Sequence, residues 1–208
     1  MPVVEIDPIG QRARDSVPPR VFPPAPAKIR ILETADRLFY DEGIRSVGID
    51  RLISESGVTK ATFYKHYGSK DRLILDYITG RHEHFVTFID ELIAAHDEPA
   101  DAILAIVDNI VSLIESPGFR GCPFVNAAIE FTDVRHPVRE LVREHRDWYA
   151  DVVTDLFKAV GHPLPGDAGD EFVLARDGAM TGGYVGDSIA AVAALQRVAA
   201  RILSASRK

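Results

Sequence analysis

A short stretch of the chain concentrates side chains that can hold an anionic polymer. The seven residues from Lys60 to His66 include two lysines, a threonine, a tyrosine and a histidine. Ammonium and hydroxyl groups bind phosphate oxygens, and polar side chains of this size also reach the edges of bases in a groove. The pattern predicts binding to nucleic acid rather than covalent chemistry.

The elements that must position these side chains are two short helices. Residues 49–70 read IDRLISESGVTKATFYKHYGSK, and Gly57 is expected to take the left-handed conformation that a side chain resists. Thr59 then caps the second helix. Phe63 and Tyr67, four residues apart, share its buried face and leave the polar side chains outside. This arrangement is a helix–turn–helix.

Over a longer range, residues 28–75 resemble the DNA-binding domain of the TetR family of bacterial one-component transcriptional repressors. An amphipathic first helix ends at Gly43, the block GVTKATFYKHYGSK follows, and residues 69–71 open a fourth helix. Two positions depart from the family pattern: Ile53 stands where a small residue is usual, and Gly48 stands where serine or threonine usually caps the helix. Neither departure removes a DNA contact, so the resemblance implies a competent DNA-binding domain.

The resemblance also implies roles for single residues. Tyr64 and Lys70 match positions that usually hold phosphates, while Lys60, Ala61, Thr62 and His66 match positions in or near the major groove. Thr59 and Lys65 lie in the same segment. The full set of candidate DNA-binding residues is therefore Thr59, Lys60, Ala61, Thr62, Tyr64, Lys65, His66 and Lys70.

Charge is distributed unevenly along the 208 residues. The net charge is -7, yet residues 28–80 hold nine Lys or Arg against eight Asp or Glu, whereas residues 81–208 hold twelve against twenty. A duplex repels an acidic body, which helps to turn the basic segment toward it. The negative total therefore does not exclude DNA as a partner, and it disfavours non-specific binding through the rest of the chain.

Composition indicates an ordinary compact protein. Hydrophobic residues make up 46% of the chain and charged residues 26%. No stretch approaches the roughly 20 unbroken apolar residues of a membrane helix, and the first residues lack the apolar core of a signal peptide. The single cysteine, Cys122, excludes an intramolecular disulfide. We expect a cytoplasmic location and no membrane association.

Hydrophobic periodicity, with no alternating run anywhere, predicts an all-α protein. The proline-rich residues 1–27 are expected to be a disordered arm, either idle or touching DNA through its arginines. Residues 28–75 form an N-terminal three-helix helix-turn-helix DNA-binding domain, and residues 76–208 form a C-terminal helical ligand-binding and dimerisation domain. Beyond the DNA-binding domain, helices are predicted near residues 70–95, 99–116, 123–132, 137–160, 168–185 and 187–204.

The C-terminal part fits a small-molecule site without identifying the ligand. Its aromatic and aliphatic side chains suit an apolar pocket, and most of them suit a plain core equally well. Asn126 and Glu130 share one face of an otherwise apolar helix, where they bind a polar ligand or form a structural hydrogen-bond network. The candidate ligand-binding residues are Phe88, Ile110, Cys122, Asn126, Glu130, Trp148 and Tyr184.

Cys122 admits two interpretations. It stands near Arg120 at the start of a predicted helix, where backbone N–H groups and the cation favour a thiolate. Some TetR-like proteins that respond to electrophiles or oxidants have a cysteine after a glycine at a similar place, which would make the chain an electrophile-sensing or redox-sensing repressor. The alternative is a small buried hydrophobic residue.

Small residues on the last two helices predict a homodimer. They let helices approach closely, either against a second copy or against the protein's own body. DNA binding favours the dimer, because paired recognition helices must reach half-sites about 34–36 Å apart. The residues in question are Gly178, Ala179, Gly182, Gly183 and Gly186 on one helix and Ala190, Ala191, Ala193 and Ala194 on the next.

The sequence carries no catalytic or metal-binding pattern. His82 and His84 are two residues apart and point to nearly opposite sides of a helix, and the cysteine pair of a zinc deaminase is missing. His136 and His145 are expected to be solvated at the surface. We expect no enzyme activity, no metal ion and no cofactor.

These observations predict a ligand-responsive DNA-binding transcriptional regulator, most simply a repressor that a small molecule releases from a double-stranded DNA operator. An effector of unknown identity is expected to shift the helix near residues 70–95 and so change the spacing of two recognition helices. The alternative from a different class is a helical ligand-binding or protein-interaction module that has lost operator binding.

Overall fold

The computed structural model describes residues 26–206, and the regular structure in this range is helical throughout. The predicted all-α fold is therefore confirmed, and most of residues 1–27, the predicted arm, lies outside the described range. The helices are α1 (Ala27–Glu42), α2 (Ile49–Ser56), α3 (Lys60–His66), α4 (Lys70–Ala94), α5 (Pro99–Glu115), α6 (Pro123–Glu130), α7 (Pro137–Ala159), α8 (Pro165–Val185) and α9 (Ser188–Ala205).

The eighth helix begins three residues earlier than the sequence predicts. Instead of starting near residue 168, α8 starts at Pro165. Proline is tolerated at the first position of a helix, because the N–H that it lacks would have no helical partner there. Gly169 is accommodated inside α8 because it lies against Thr154, whose hydroxyl would clash with an added Cβ atom.

The chain divides into two compact units, the first ending at Tyr77 and the second beginning at Ile78. In the first unit, α1 lies across α2 and α3, and each helix contributes side chains that are fully removed from solvent. Burial of these side chains is the main source of stability for such short helices. The fully buried residues include Ile31, Leu38, Leu52, Phe63 and Leu73.

Ion pairs on the surface of the first unit connect α1 with α2. Arg37 Nη2 lies 2.5 Å from Glu55 Oε2, and Arg51 bonds both Glu55 and Glu42. The hydrogen bond from Arg37, and after it the one from Arg51, lowers the pKa of Glu55. Exposed pairs contribute little to the free energy of unfolding, so we assign them an orienting role.

In the second unit, small residues on α8 allow close packing inside the protein. An added Cβ at Gly183 would come within 2.6 Å of Ile114 Cγ2, and one at Gly182 would lie 3.4 Å from the Cβ of Ala191 on α9. Part of the glycine-rich face predicted for dimerisation therefore serves contacts of α8 with its own neighbours, α5 and α9. Gly178 is different, because it is exposed and no atom lies within 4 Å of its added Cβ.

The last helix, α9, is long and apolar enough to cross a membrane by length and composition alone. Its mean hydropathy is 1.3, and only 17% of the helix is buried. The apolar run is interrupted by Gln196, Arg197 and Arg201. An exposed apolar helix of this kind also suits contact with another protein surface.

Candidate DNA interface and effector cavity

The turn between α2 and α3 has the geometry of a helix–turn–helix. Gly57 lies in the left-handed region with φ 63° and ψ 35°, as expected, and its N–H bonds the carbonyl end of α2. Thr59 caps α3, because its Oγ1 accepts a hydrogen bond from the backbone N–H of Thr62 at 3.2 Å. Local chemistry at two residues therefore sets where α3 begins.

The outer face of α3 carries the predicted DNA-binding side chains. Tyr64 is 41% exposed, and its ring meets that of Phe63 edge to face at 5.5 Å. The hydroxyl of the half-buried Thr62 lies 2.9 Å from that of Thr59. The remaining members of the set on this helix are exposed: Lys60, Ala61, Lys65 and His66.

The inner face of α3 is anchored by two aromatic residues. Phe63 is fully buried, and its ring centroid lies 6.0 Å from that of Tyr67. The hydroxyl of Tyr67 donates a hydrogen bond to the backbone carbonyl of Lys28 on α1 at 3.2 Å. Burial and, to a smaller extent, the charge of Asp76 raise the pKa of Tyr67 to about 12, so the hydroxyl keeps its proton.

Lys70 has a structural contact that the sequence does not reveal. Its Nζ lies 2.6 Å from the backbone carbonyl oxygen of Ile44, to which it donates, and 5.7 Å from the centre of the Phe39 ring. The side chain therefore ties the start of α4 to the loop after α1. A phosphate contact at Lys70 remains a prediction and would have to coexist with this bond.

The seven candidate ligand-binding residues do not come together. Ile110 is part of the buried core, Phe88 and Trp148 are half-buried in an aromatic cluster, and Tyr184 is exposed beneath Arg120. Cys122 alone among the seven borders the enclosed cavity described below. Their role in ligand binding stays a prediction.

Asn126 and Glu130 have different surroundings. The side-chain N–H of Asn126 donates to the backbone carbonyl of Arg120 at 2.8 Å, and this bond holds the turn before α6. Glu130 is half-buried at the end of α6. For Asn126 the structural network is thus the interpretation that the contacts favour.

A small cavity lies where α6, α7 and α8 meet. Its volume is about 10 Å³, roughly the room of one water molecule. Cys122 borders it and is 4% exposed, so it lies deeper than a reactive thiol usually does. The polar and aromatic side chains around it are Cys122, Phe124, His145, Arg146, Tyr149, Arg176 and Asp177.

Arg176 places a buried positive charge beside this cavity. The residue is 7% exposed, and its Nη1 donates to Asp177 Oδ1 at 2.8 Å and to the Cys122 sulfur at 3.5 Å. Burial acts against its charge, but the neighbouring groups Cys122, Tyr149 and Asp177 hold its pKa above the ordinary arginine value. Its Nε has no hydrogen-bond partner among the described residues.

Asp177 binds a second arginine. Arg146 Nη1 lies 2.7 Å from Asp177 Oδ2, so one carboxylate bridges two guanidinium groups. The side chain of Arg146 is 39% exposed, whereas that of Arg176 is buried. The bridge carries one net positive charge at the inner end of an open groove.

His145 is buried, and the expectation that it is solvated was wrong. It is 2% exposed, stacks on Phe124 with ring centroids 3.4 Å apart, and pairs with His82 through Nδ1 atoms 3.1 Å apart. Burial first, and then the charges of Arg176, His82 and Arg146, lower the pKa of His145 to about 3. The imidazole is therefore neutral at physiological pH.

His136, the other histidine expected at the surface, is half-buried and caps α7, because its Nδ1 accepts from the backbone N–H of Val138 at 3.2 Å. A helical period could have identified His145. Together with Val138, Val142 and Tyr149 it lies on the buried stripe of α7, at spacings of four, three and four residues. Arg176 likewise lies in helical period with the buried Phe172 and Met180 of α8, although charged side chains are seldom fully buried.

The groove next to the cavity is open to solvent and has a volume of about 870 Å³. It lies between α6, α7 and α8 and shares Arg146 and Asp177 with the cavity. Within residues 26–206, no three His, Cys, Asp or Glu side chains converge on a possible metal position. The arrangement offers charge and apolar surface to a ligand.

Comparison with known proteins agrees with both units. Residues 31–77 match the family described as bacterial regulatory proteins, tetR family, and residues 99–162 match the tetracyclin repressor-like C-terminal domain. The first match contains α2 and α3, and the second contains α5, α6 and α7.

Individual relatives extend these matches. A TetR-family transcriptional regulator from Streptomyces coelicolor is 38% identical, with a TM-score of 0.83 over 88% of this chain and 96% of that chain. The HTH-type transcriptional regulator LmrA of Bacillus subtilis is 27% identical over 134 residues, which are 64% of this chain and 71% of LmrA. A TetR transcriptional regulator from Chloroflexus aurantiacus, 24% identical, has the same fold with a TM-score of 0.71 over 86% of this chain and 92% of that chain.

Protonation of His145 should link the stability of the second unit to pH. The pKa of His145 is about 3 in the folded protein, below the ordinary 6.5, so the folded state favours the neutral imidazole. The stability that comes from keeping His145 neutral is fully present above pH 6.5 and is lost as the pH falls toward 3. The loss is at most ~1.4 kcal/mol per pH unit. Urea unfolding followed by the fluorescence of Trp148, the single tryptophan, measures it.

His145→Gln removes the titrating group and keeps a side chain that can bond to His82. Its free energy of unfolding should change less between about pH 7.5 and about pH 5. His84→Gln, at an exposed histidine, is the matched control and should retain the wild-type slope. Equal slopes in all three proteins would contradict a buried, neutral His145.

Proposed function

The chain belongs to the TetR family of bacterial transcriptional regulators, and from that membership we propose that it is a repressor which a small molecule releases from its operator. DNA binding and transcriptional regulation are what its relatives have in common. We propose, in addition, that the protein represses transcription and that a ligand ends this repression.

The observation that carries the proposal is the exposed face of α3. Lys60, Tyr64, Lys65 and His66 project from a helix whose opposite face is locked into the first unit by Phe63. A recognition helix must present its side chains in a fixed orientation, because base contacts depend on register in the groove. A helical module that had lost operator binding would have no need of this face.

We assign two kinds of contact to this face. Tyr64, at the edge of the exposed surface, is proposed to donate its hydroxyl to a phosphate oxygen. Lys60 and His66 are proposed to reach base edges in the major groove, where they select the sequence. Lys65 adds a positive charge to the same surface.

Release by a ligand requires that the ligand prefer one conformation of the protein over another. We propose that the ligand binds in the second unit and acts through α4. This helix begins at Lys70, in the first unit, and continues to Ala94, in the second. The protein would work in the cytoplasm, where the operator is.

Dimerisation is proposed through the outer face of α8. Leu174, Gly178, Thr181 and Val185 recur at spacings of four, three and four residues, and all four are exposed. Leu174 is 70% exposed, and Ile189 at the start of α9 is 82% exposed. Such a stripe on α8, next to an apolar α9, fits a self-complementary interface between two copies.

Substitutions on α3 should separate the two kinds of DNA contact. Tyr64→Phe deletes one hydroxyl, so it should weaken binding to operator and unrelated DNA by the same factor, about fivefold for one hydrogen bond. Lys60→Gln should reduce the preference for the operator over single-base variants by about tenfold. Fluorescence anisotropy titrations with labelled duplexes measure both effects.

Lys158→Gln is the matched control, because it removes the same charge from an exposed position on α7. It should leave DNA binding unchanged. If Lys158→Gln weakened binding as much as Lys60→Gln did, or if Lys60→Gln kept the full sequence preference, α3 would not be the reading helix.

Leu174→Glu should convert the dimer into a monomer, because it places a charge on the most N-terminal side chain of the proposed interface stripe. Sedimentation velocity at micromolar concentration measures the change, and circular dichroism should show an unchanged helix content because the side chain is exposed. Leu164→Glu, at a leucine that is 59% exposed outside the stripe, should remain dimeric. A wild-type protein that sediments as a monomer would refute the interface.

A further inference from the structure

The groove and the small cavity of the second unit are neighbours, since two residues border both of them. They have Arg146 and Asp177 in common, so the ion pair between these residues stands at the boundary. On the inner side lies Arg176, more than nine-tenths buried, with an Nε that has no hydrogen-bond partner in the described structure. A buried donor without a partner costs free energy, which an acceptor from a ligand would recover.

The charge of this site is positive, although that of the chain is negative. Four arginines border the groove and cavity, against two aspartates, Asp147 and Asp177. Two of the arginines have other partners: Arg139 donates to backbone carbonyl oxygens of Ala128 and Phe131, and Arg143 pairs with Glu140. The remaining two, Arg146 and Arg176, share the single carboxylate of Asp177.

The outer wall of the groove is apolar. It is formed by side chains of α6 and α7 and of the loop between them, and part of this surface is strongly exposed to solvent. Ile129 is 72% exposed and Val134 is 70% exposed. The apolar residues of the wall are Val125, Ala128, Ile129, Val134 and Val142. A ligand that filled the groove would therefore gain from burying an apolar body.

We propose that the effector of this regulator is a carboxylate with an apolar tail, whose tail lies in the groove and whose carboxylate binds between Arg146 and Arg176. This inference rests on the proposed function, and it names the chemical class of the ligand that releases the repressor from DNA. The incoming carboxylate supplies the second anion for the two guanidinium groups and displaces Asp177 from at least one of them.

The surroundings of the site select against other ligands. A cationic ligand would meet the buried charge of Arg176, and an uncharged acceptor would form weaker hydrogen bonds to the guanidinium groups than a carboxylate does. The same positive field contributes to the low pKa of His145, which lies against the cavity, after the larger effect of burial. A second cation in this place is therefore disfavoured, and an anion is favoured.

Binding of the carboxylate would also act on the proposed dimer interface. Asp177 is adjacent to Gly178, and both lie on α8, whose outer face carries Leu174 and Val185. If Asp177 leaves the arginines, the contacts that hold α8 against α7 change. The ligand would then bind one position of α8 more tightly than the other, and release from DNA requires such a difference in affinity between two conformations.

The experiment compares three probes that have the same apolar body: octanoate, octanol and octylammonium. Isothermal titration calorimetry with the full chain gives the three affinities. Octanoate should bind about tenfold more tightly than octanol, as expected for charge-assisted hydrogen bonds, and octylammonium should bind most weakly. Equal affinities for octanoate and octanol would overturn the proposal.

Two kinds of variant locate the site. Arg146→Gln should remove most of the preference for octanoate and leave octanol binding unchanged. Arg135→Gln, at an arginine outside the groove whose side chain is 88% exposed, should keep the preference. Thr132 is exposed on the groove wall, so charges placed there do not disturb the core. Thr132→Asp should weaken octanoate binding and Thr132→Lys should strengthen it, each about threefold, by repulsion or attraction across the groove. The opposite order, or no change, would overturn the proposal.

Operator binding without any probe is measured in parallel. If the operator is bound and octanoate shows no preference over octanol, the ligand class is wrong and the regulator stands. If octanoate shows the preference but no duplex is bound specifically, the proposed function fails and the site stands. Octanoate that binds in the groove and weakens operator binding, with the weakening lost in Arg146→Gln, supports both.

Discussion

The burial of Phe63 and Tyr67 is the interaction on which the DNA interface depends. A helix of seven residues has too few hydrogen bonds to be stable in water by itself, so α3 exists because its inner face is held by the rest of the first unit. The Tyr67 hydroxyl adds a fixed bond to α1. These buried contacts fix the orientation of α3 and so of every exposed side chain on its outer face.

The second unit is organised around a different constraint, a positive charge removed from water. Arg176 is stable in its place because Asp177 and the other polar groups around the cavity compensate its charge. Burial first, and then the charge of Arg176 together with His82 and Arg146, keeps His145 neutral beside the cavity. The stability of the second unit and the proposed ligand selection therefore depend on the same few side chains.

Features of the fold that depend on local interactions could be predicted from the sequence, whereas features that depend on tertiary contacts could not. Gly57 and Thr59 act through their own backbone and the next turn, so the turn and the start of α3 could be predicted from the residues themselves. The limits of most helices followed from prolines and glycines in the same way. The early start of α8 was missed because Gly169 owes its place in the helix to Thr154, a contact that only the tertiary structure provides.

The cavity could not be predicted, for the same reason. Arg176 lies on α8 and is 54 residues from Cys122, and nothing in the residues near either one indicates that they meet. His145 was partly predictable, since it occupies a core position in the period of α7, although its type suggests the surface. Among the candidate ligand-binding residues, Ile110 lies in the core and Phe88 and Trp148 lie in one aromatic cluster. A core and a pocket use the same apolar side chains, so the sequence could not separate them.

Specific recognition of DNA by the first unit is the central claim, and one titration tests it most directly. A labelled duplex from the DNA immediately upstream of the gene is compared with a scrambled duplex of equal length and composition, over a range of salt concentrations. We predict that the upstream duplex is bound at least ~10³-fold more tightly than the scrambled one at physiological salt, with the affinity for both falling as salt rises. Equal affinity for the two duplexes at every salt concentration would contradict it.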